Sequence, residues 1–478
     1  MQKEQISYVL SNFIRGQGSF EGKSRGNVKG KESFMGSHDM RTLGKKELFA
    51  LAVGTVIGSG VITLIGTAVS ITGRSAWLAF ELAIIFGFFY AVPYLIAGSM
   101  IRLQGGIYSL VGTVLGRRWL GMFSAAYLTR MLQFGLFGIG LGQYVNSIFP
   151  FIPVKAVGIF FTIAIFLLNL CDMKGIALFQ KIITVILLGS LAMIIVVGLF
   201  HLHYNPFDFS DPEFLLNGGE GIMDAAVVLV FSTQGYYLVI NYSGRAKNPR
   251  KDLPKIWLYV PLLLIVVYGG AGMVAGCVLP LEECAGKPLT YVAQAILPTP
   301  LVYVFVLGGA CMALLSTLNG LFSSYGAVFA QASKDGWYPK CVSKLNKNGQ
   351  PVVLLTISTI VAVVPLMLDF SIQTVTNSII LLTLFVDLFP CLAVCMLPKK
   401  YPEAWKQSVV HMPKAGFICL MTISLCVQLA CAYWSARGLS VVGVIVSLVC
   451  IAICFVYGYF KGKDENCVCP NLSEEFLD

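Results

Sequence analysis

The sequence predicts an all-α integral membrane protein of about twelve transmembrane helices. Composition says so first: of 478 residues 56% are hydrophobic and only 12% charged, against roughly 25% charged in soluble domains. Apolar segments of about 20 residues, the length that crosses a bilayer, then recur along most of the chain. The basic residues, finally, alternate between the two sides in step with those segments, as topology signals do.

In chain order, residues 1–44 are polar, basic and rich in Gly and Ser, and read as a flexible cytoplasmic tail. The spans expected after it are 45–72, 76–101, 119–148, 152–171, 178–202, 218–244, 253–279, 297–330, 350–369, 373–398, 413–435 and 438–461. They group as two five-helix halves, 45–202 and 218–398, followed by a last pair over 413–461 and a C-terminal tail, 462–478. An even count puts both termini on one side. Apart from Arg130, only Arg74, Lys155, Lys287 and Arg437 fall on the other, leaving 29 of the 34 Lys and Arg residues on the side of the termini. The positive-inside rule makes that side cytoplasmic, and the expected location a cell membrane.

The net charge of +10 therefore reflects topology, and a nucleic-acid partner is excluded. The fourteen cysteines show no disulfide or zinc spacing and read as small buried hydrophobes. Cys467 and Cys469 alone make a poor metal site, so no metal or cofactor is expected. The first long apolar run begins near Leu48, after a basic stretch, so no cleavable signal peptide is expected either.

Two spans are unlike plain helices. The first contains Gly54-Thr55-Val56-Ile57-Gly58-Ser59-Gly60; three glycines in seven residues each weaken a helix by roughly 1 kcal/mol relative to alanine. In hydrocarbon such an interruption survives where it lines a cavity, and it leaves a half-helix N-terminus whose amides suit a carboxylate. The alternative is a close helix-packing face of small residues. The sixth span repeats the anomaly with Phe231-Ser232-Thr233-Gln234-Gly235-Tyr236-Tyr237. Interruptions at corresponding positions of two halves of opposite orientation point to the binding site of an inverted-repeat transporter.

Four stretches resemble the amino acid–polyamine–organocation superfamily. They are Gly54–Ile62 continuing to Gly66, Gln104-Gly105-Gly106-Ile107-Tyr108 followed by Gly116, Lys247-Asn248-Pro249-Arg250-Lys251-Asp252-Leu253-Pro254, and Leu315–Gly320 with Ala332–Pro339. The resemblance implies the LeuT-type fold, a 5+5 inverted repeat with discontinuous helices 1 and 6, and secondary transport of amino acids. Polyamines or other organic cations are the alternative cargo within the same superfamily. The chain departs from the superfamily at Gly244 and Arg245, where acidic residues are common, near Gly326 and Ala327, where an Arg is usual, and in helix five, which lacks the mid-membrane Lys of some proton-coupled members.

By that resemblance the substrate lies along Thr55, Ile57 and Gly58, its carboxylate on the amides of Ser59, Gly60 and Val61. Its ammonium meets carbonyls around Phe231, Ser232 and Thr233, with Gly235 allowing close approach and Phe231 acting either as a lid or as a core side chain. Helix ends supply partial charges of both signs, which suits a zwitterion. Arg130 lies about 16 Å into its span, near the midplane, and Asp387 at comparable depth. Buried charges there are costly, and since the resemblance brings helices three and ten together, the two are expected to pair as gate, selectivity element or structural ion pair. Ser316, Thr317, Ser323 and Ser324 offer hydroxyls to a coupling ion, sodium or a proton, or else bond their own helix. Glu81 and Asp224 read as vestibule residues, and His201 and His203 as interfacial ones.

Two other classes fit less well. A membrane enzyme needs a compact His/Asp/Glu or Cys/His constellation, whereas the four histidines are dispersed. A channel fits the hydropathy, but paired helix interruptions favour alternating access over a fixed pore.

Overall fold

The computed structural model describes residues 42–369, 372–437, 439 and 441–470. Most of the tail expected at 1–44, and residues 471–478 of the one expected at 462–478, lie outside them. The regular secondary structure of the described residues is helical, with two isolated bridge pairs, Leu43 with Ala246 and Leu345 with Pro351. Eight helical stretches are long and apolar enough to cross a membrane. The chain is an all-helical, multi-pass integral membrane protein, the architecture that satisfies backbone hydrogen bonds within each segment when no water is at hand.

The first half comprises α1 (Lys45–Val56), α2 (Ser59–Thr72), α3 (Ala76–Met100), α4 (Ile107–Leu115), α5 (Arg117–Tyr127), α6 (Phe134–Ile148), α7 (Val154–Asn169) and α8 (Met173–Phe200). Then come α9 (Gly218–Thr233), a 3₁₀ segment Tyr236–Arg245, α10 (Pro249–Cys277), α11 (Met312–Lys334), α12 (Val352–Met367) and α13 (Ile372–Lys400), with α14 (Lys414–Arg437) and α15 (Val441–Lys461) last. Local signals set several ends. Glu47 accepts from the Gly44 amide at 3.0 Å, Asp172 caps α8 through the Gly175 amide at 3.2 Å, and Pro249 sits in the first turn of α10.

Four of the twelve expected spans are not covered end to end by any of the eight long stretches, each for a visible reason. The first is cut at Ile57 and Gly58 into α1 and α2. The third begins at Arg117 and Arg118 and is tightened into a 3₁₀ segment, Leu128–Gln133, which carries Arg130 between α5 and α6. α7 and α12 are apolar but only 16 residues long.

Burial separates the centre from the rim. About 67% of the most apolar window in Thr299–Lys334 is buried, against 17% in Gly443–Lys461. α14 and α15 turn Ile418, Leu429, Ile445, Val449 and Ile453 outward, as an acyl-chain interface requires. α11 is buried along nearly its whole length, its Phe322 stacked on Phe134 of α6 at 4.1 Å between ring centroids.

Each end of the bundle is tied down by polar contacts. Past α2, buried Arg74 bonds Asp211 at 2.9 Å, Glu213, and the Gly276 carbonyl at 3.1 Å, and lies over the Tyr204 ring at 3.4 Å. At the opposite end, residues 464–470 fold back on the body: the Val468 carbonyl accepts from Trp337 Nε1 and its amide donates to the Asp335 carbonyl, both at 2.8 Å. Cys467 and Cys469 donate to different segments, at Gly336 and Gly112. Burial pushes the Asp335 carboxyl up, while hydrogen bonds from Tyr108 and Gln331 draw it partly back.

Arg74→Met keeps much of the side chain's bulk but strands two half-exposed carboxylates. It should lower stability by about 1–3 kcal/mol, less than for a fully buried pair because Asp211 and Glu213 keep some water. Thermal unfolding in detergent measures this.

Candidate functional site

The site is built where two helices stop. α1 ends at Val56; Ile57 (ψ 88°) and Gly58 (φ −123°, ψ −142°) leave helical geometry, and α2 starts afresh at Ser59. The first amides of a helix have no intrahelical partner, so those of Ser59, Gly60 and Val61 are available and carry the positive end of the helix dipole. α9 stops at Thr233, Gln234 is extended (ψ 159°), and Gly235 takes φ 115°, a conformation open to glycine, before the 3₁₀ segment. The last carbonyls of α9 supply the negative end.

The two interruptions touch. A side-chain carbon on Gly60 would overlap Ser232 and come within 2.7 Å of its Cα, and one on Gly235 would meet the Thr55 carbonyl at 2.8 Å. Glycine is therefore required twice, on opposite sides of one contact. The Tyr268 hydroxyl of α10 lies 3.2 Å from the Val56 carbonyl and 3.0 Å from that of Ser232, joining the last turns of α1 and α9. From α11, the Thr317 hydroxyl lies 3.1 Å from the Gly54 carbonyl and 3.4 Å from that of Ile57.

Between these elements is a cavity of about 60 Å³. That exceeds the about 10–15 Å³ needed to hold one water. Thr55, Val56, Gly58 and Gly60 line it from α1 and α2, and Phe231, Ser232, Gln234, Gly235, Tyr237 and Leu238 from the α9 break. Arg130, Gln133 and Phe137 add a third wall, Thr317, Leu321 and Tyr325 a fourth, and Thr383 comes from α13. Of the expected substrate residues, Thr55, Gly58, Gly60, Phe231, Ser232 and Gly235 line this space. Ile57, Val61 and Thr233 are buried beside it, and Ser59 opens α2 between Gly58 and Gly60.

Arg130 and Asp387 form a buried ion pair, 3% and 2% exposed. Asp387 also accepts from Tyr90 at 2.8 Å and from Tyr94 at 2.9 Å, and Tyr94 stacks on the cavity residue Tyr237 at 4.4 Å. Three donors thus meet one carboxylate, the arrangement a buried charge needs. Beside it, Gln133 donates to the Thr383 hydroxyl at 2.8 Å and accepts from Tyr325 at 2.7 Å.

The four hydroxyls considered for an ion separate into two groups. Ser316 accepts from Gln180 at 2.7 Å, and Gln180 in turn accepts from Asn319 at 2.6 Å; Thr317 meets the α1 carbonyls. About two turns on, Ser323 bonds Tyr242 and Ser324 accepts from Asn241 at 2.9 Å, both on the 3₁₀ segment. Elsewhere, Asp224 accepts from Trp434 at 2.8 Å, while the rings of His201 and His203 meet the carbonyls of Val197 and Val278.

The sequence model of the family described as Amino acid permease matches residues 43–458, which contains every element of this site. The chain belongs to the amino acid permease family. This permease is 24% identical over 465 residues to the branched-chain amino acid permease BcaP of Lactococcus lactis, a match covering 89% of this chain and 96% of that one. It is 23% identical to the probable threonine/serine transporter YbxG of Bacillus subtilis, with the same coverage, and 22% identical to the methylthioribose transporter of that organism, over 81% of this chain and 87% of the relative. Family membership makes the chain a transporter of amino acids in the general sense.

Tyr268, Gln133, Tyr237 and Tyr325 were not singled out from sequence. Their residue types do not announce a task, and only tertiary contact reveals it. Tyr268→Phe keeps the ring and deletes the donor that two carbonyls share. It should lower stability by about 1–3 kcal/mol, the cost of an unsatisfied buried acceptor, seen as a fall in melting temperature. At the ion pair, Asp387→Leu alone should cost about 3–5 kcal/mol by stranding Arg130, and Arg130→Met in the same chain should recover part of that loss. A double-mutant cycle in detergent measures the coupling.

Proposed function

We propose that this permease moves a small amino acid across the cell membrane by alternating access, holding the substrate at the facing interruptions of α1/α2 and α9. The carboxylate lies on the amides of Ser59, Gly60 and Val61, and the ammonium on the terminal carbonyls of α9 near Phe231 and Ser232. The observation that carries this reading is the contact of Gly60 with Ser232 beside the cavity. It sets a helix N-terminus and a helix C-terminus against one small space, with the complementary partial charges a zwitterion requires. Phe231, half-buried on the cavity wall, acts as the lid.

In this proposal the chain crosses the membrane twelve times as a 5+5 inverted repeat plus a final pair, with both termini cytoplasmic. The basic residues at 29 of 34 positions on one side support that topology. The short or divided stretches at 45–72, 119–148, 152–171 and 350–369 count as spans in this topology. Should a sodium ion be coupled, Thr317 is the hydroxyl that engages it, since it meets two carbonyls at the end of α1, those of Gly54 and Ile57.

The test is a thermal-shift screen of the detergent-purified protein against the amino acids and their decarboxylated amines. A ligand at 100 times its Kd should stabilise the fold by about 2.7 kcal/mol. Stabilisation is expected from a small amino acid and not from its amine, and should vanish in Gly60→Val, which drives a branched side chain into Ser232. Stabilisation by amines alone would overturn the carboxylate site and favour an organic-cation carrier.

A further inference from the structure

Granted that the cavity holds an amino acid, its remaining wall says which kind. Arg130 and Gln133 lie on the 3₁₀ segment between α5 and α6, facing Tyr325 of α11 and Thr383 of α13 around the same space. Arg130 is 3% exposed, yet its Nε has no hydrogen-bond partner. Gln133 uses one donor and one lone pair on Thr383 and Tyr325; a primary amide has two of each, so one donor and one lone pair remain. Hydrogen-bonding capacity left over at a buried, cavity-lining site points to a ligand group that uses it.

The charge on this wall is already settled. Arg130 is neutralised by Asp387, and Asp387 by Arg130 with two tyrosine hydroxyls. An acidic or basic substrate side chain would bring an unpaired ion into a buried site, whereas a hydroxyl or amide would complete bonds the wall lacks. Valine and threonine share one shape, so volume cannot separate them; the unsatisfied donors can. The relatives' names point both ways, to branched-chain amino acids and to threonine or serine.

We propose that Gln133, with Arg130 beside it, is the specificity-determining residue of the site, and that the permease takes small neutral amino acids bearing a side-chain hydroxyl or amide, threonine and serine foremost, in preference to apolar amino acids of the same shape. A purely apolar pocket discriminates poorly between such isosteres, while a site built to bond a hydroxyl rejects the analogue that lacks it. Bound threonine would exchange a hydrogen bond with the free donor and lone pair of Gln133. Valine would leave them unmet.

The experiment is uptake of labelled threonine and labelled valine by the full chain in liposomes, compared as kcat/KM. Threonine should exceed valine by about tenfold or more. Gln133→Met, similar in shape, and Thr383→Val, which removes the hydroxyl orienting the Gln133 amide, should each bring the ratio to within about threefold of one. A structural role for Gln133 would lower both uptakes alike and leave the ratio unchanged, which overturns the proposal. So does valine uptake equal to or above threonine uptake in the unaltered protein, a result that still leaves the amino acid site standing. Absence of uptake and of ligand-induced stabilisation for every amino acid would instead overturn the site itself, and this inference with it. If Gln133→Met does not accumulate in the membrane, the unaltered ratio and Thr383→Val still decide.

Discussion

The Tyr268 hydroxyl, shared between the carbonyls of Val56 and Ser232, marks the constraint from which the rest of this structure follows. Two helices stop inside a membrane protein, and the polar backbone groups they release have no water to bond. The surrounding helices answer by sending single hydroxyls into the gap: Tyr268 from α10, and Thr317 from α11 to the carbonyls of Gly54 and Ile57. Both side chains are buried at 5% exposure or less. Between the two breaks, Gly58, Gly60, Ser232 and Gly235 line a cavity.

The opposite wall meets the same requirement with full charges. Asp387 is held by Arg130, Tyr90 and Tyr94, and the stack of Tyr94 on Tyr237 carries that network to the cavity surface. Such a pair contributes little net stability, because desolvation offsets most of its Coulomb gain, but removing either partner is expensive. Its effect is to fix geometry. The 3₁₀ segment Leu128–Gln133, α13 and α3 are pinned at one point, and Gln133 is thereby held against Thr383 and Tyr325.

Much of this was legible in the sequence because hydrocarbon punishes exceptions. Glycines and polar residues within apolar stretches flagged the interruptions at Gly58 and Gly235, and mid-span Arg130 and Asp387 had each to find a partner. Serine and threonine were ambiguous by nature. Thr55, Ser232 and Thr233 do bond their own helix, at Leu51, Leu229 and Val230, the local alternative available to every helical hydroxyl. Span boundaries were less legible: hydropathy counts apolar residues and is blind to whether they sit in one helix or in an α–3₁₀–α run such as Arg117–Ile148. Tyr268 was invisible, since a tyrosine in an apolar helix looks like packing until its hydroxyl is seen between two carbonyls.

On the proposed reading, the two walls divide the recognition of an amino acid by kind of charge. The helix ends offer about half an elementary charge of each sign, spread over several backbone groups, enough to hold a carboxylate and an ammonium while costing little when the site is empty. A full Arg or Asp in that place would demand a counter-ion whenever the substrate left. The full charges are present, but on the side-chain wall, and there they are paired with one another. The cavity can therefore empty and refill without stranding an ion. A carrier that must pass through an unloaded state needs that property, and it follows from where the two helices stop and from which carboxylate Arg130 meets.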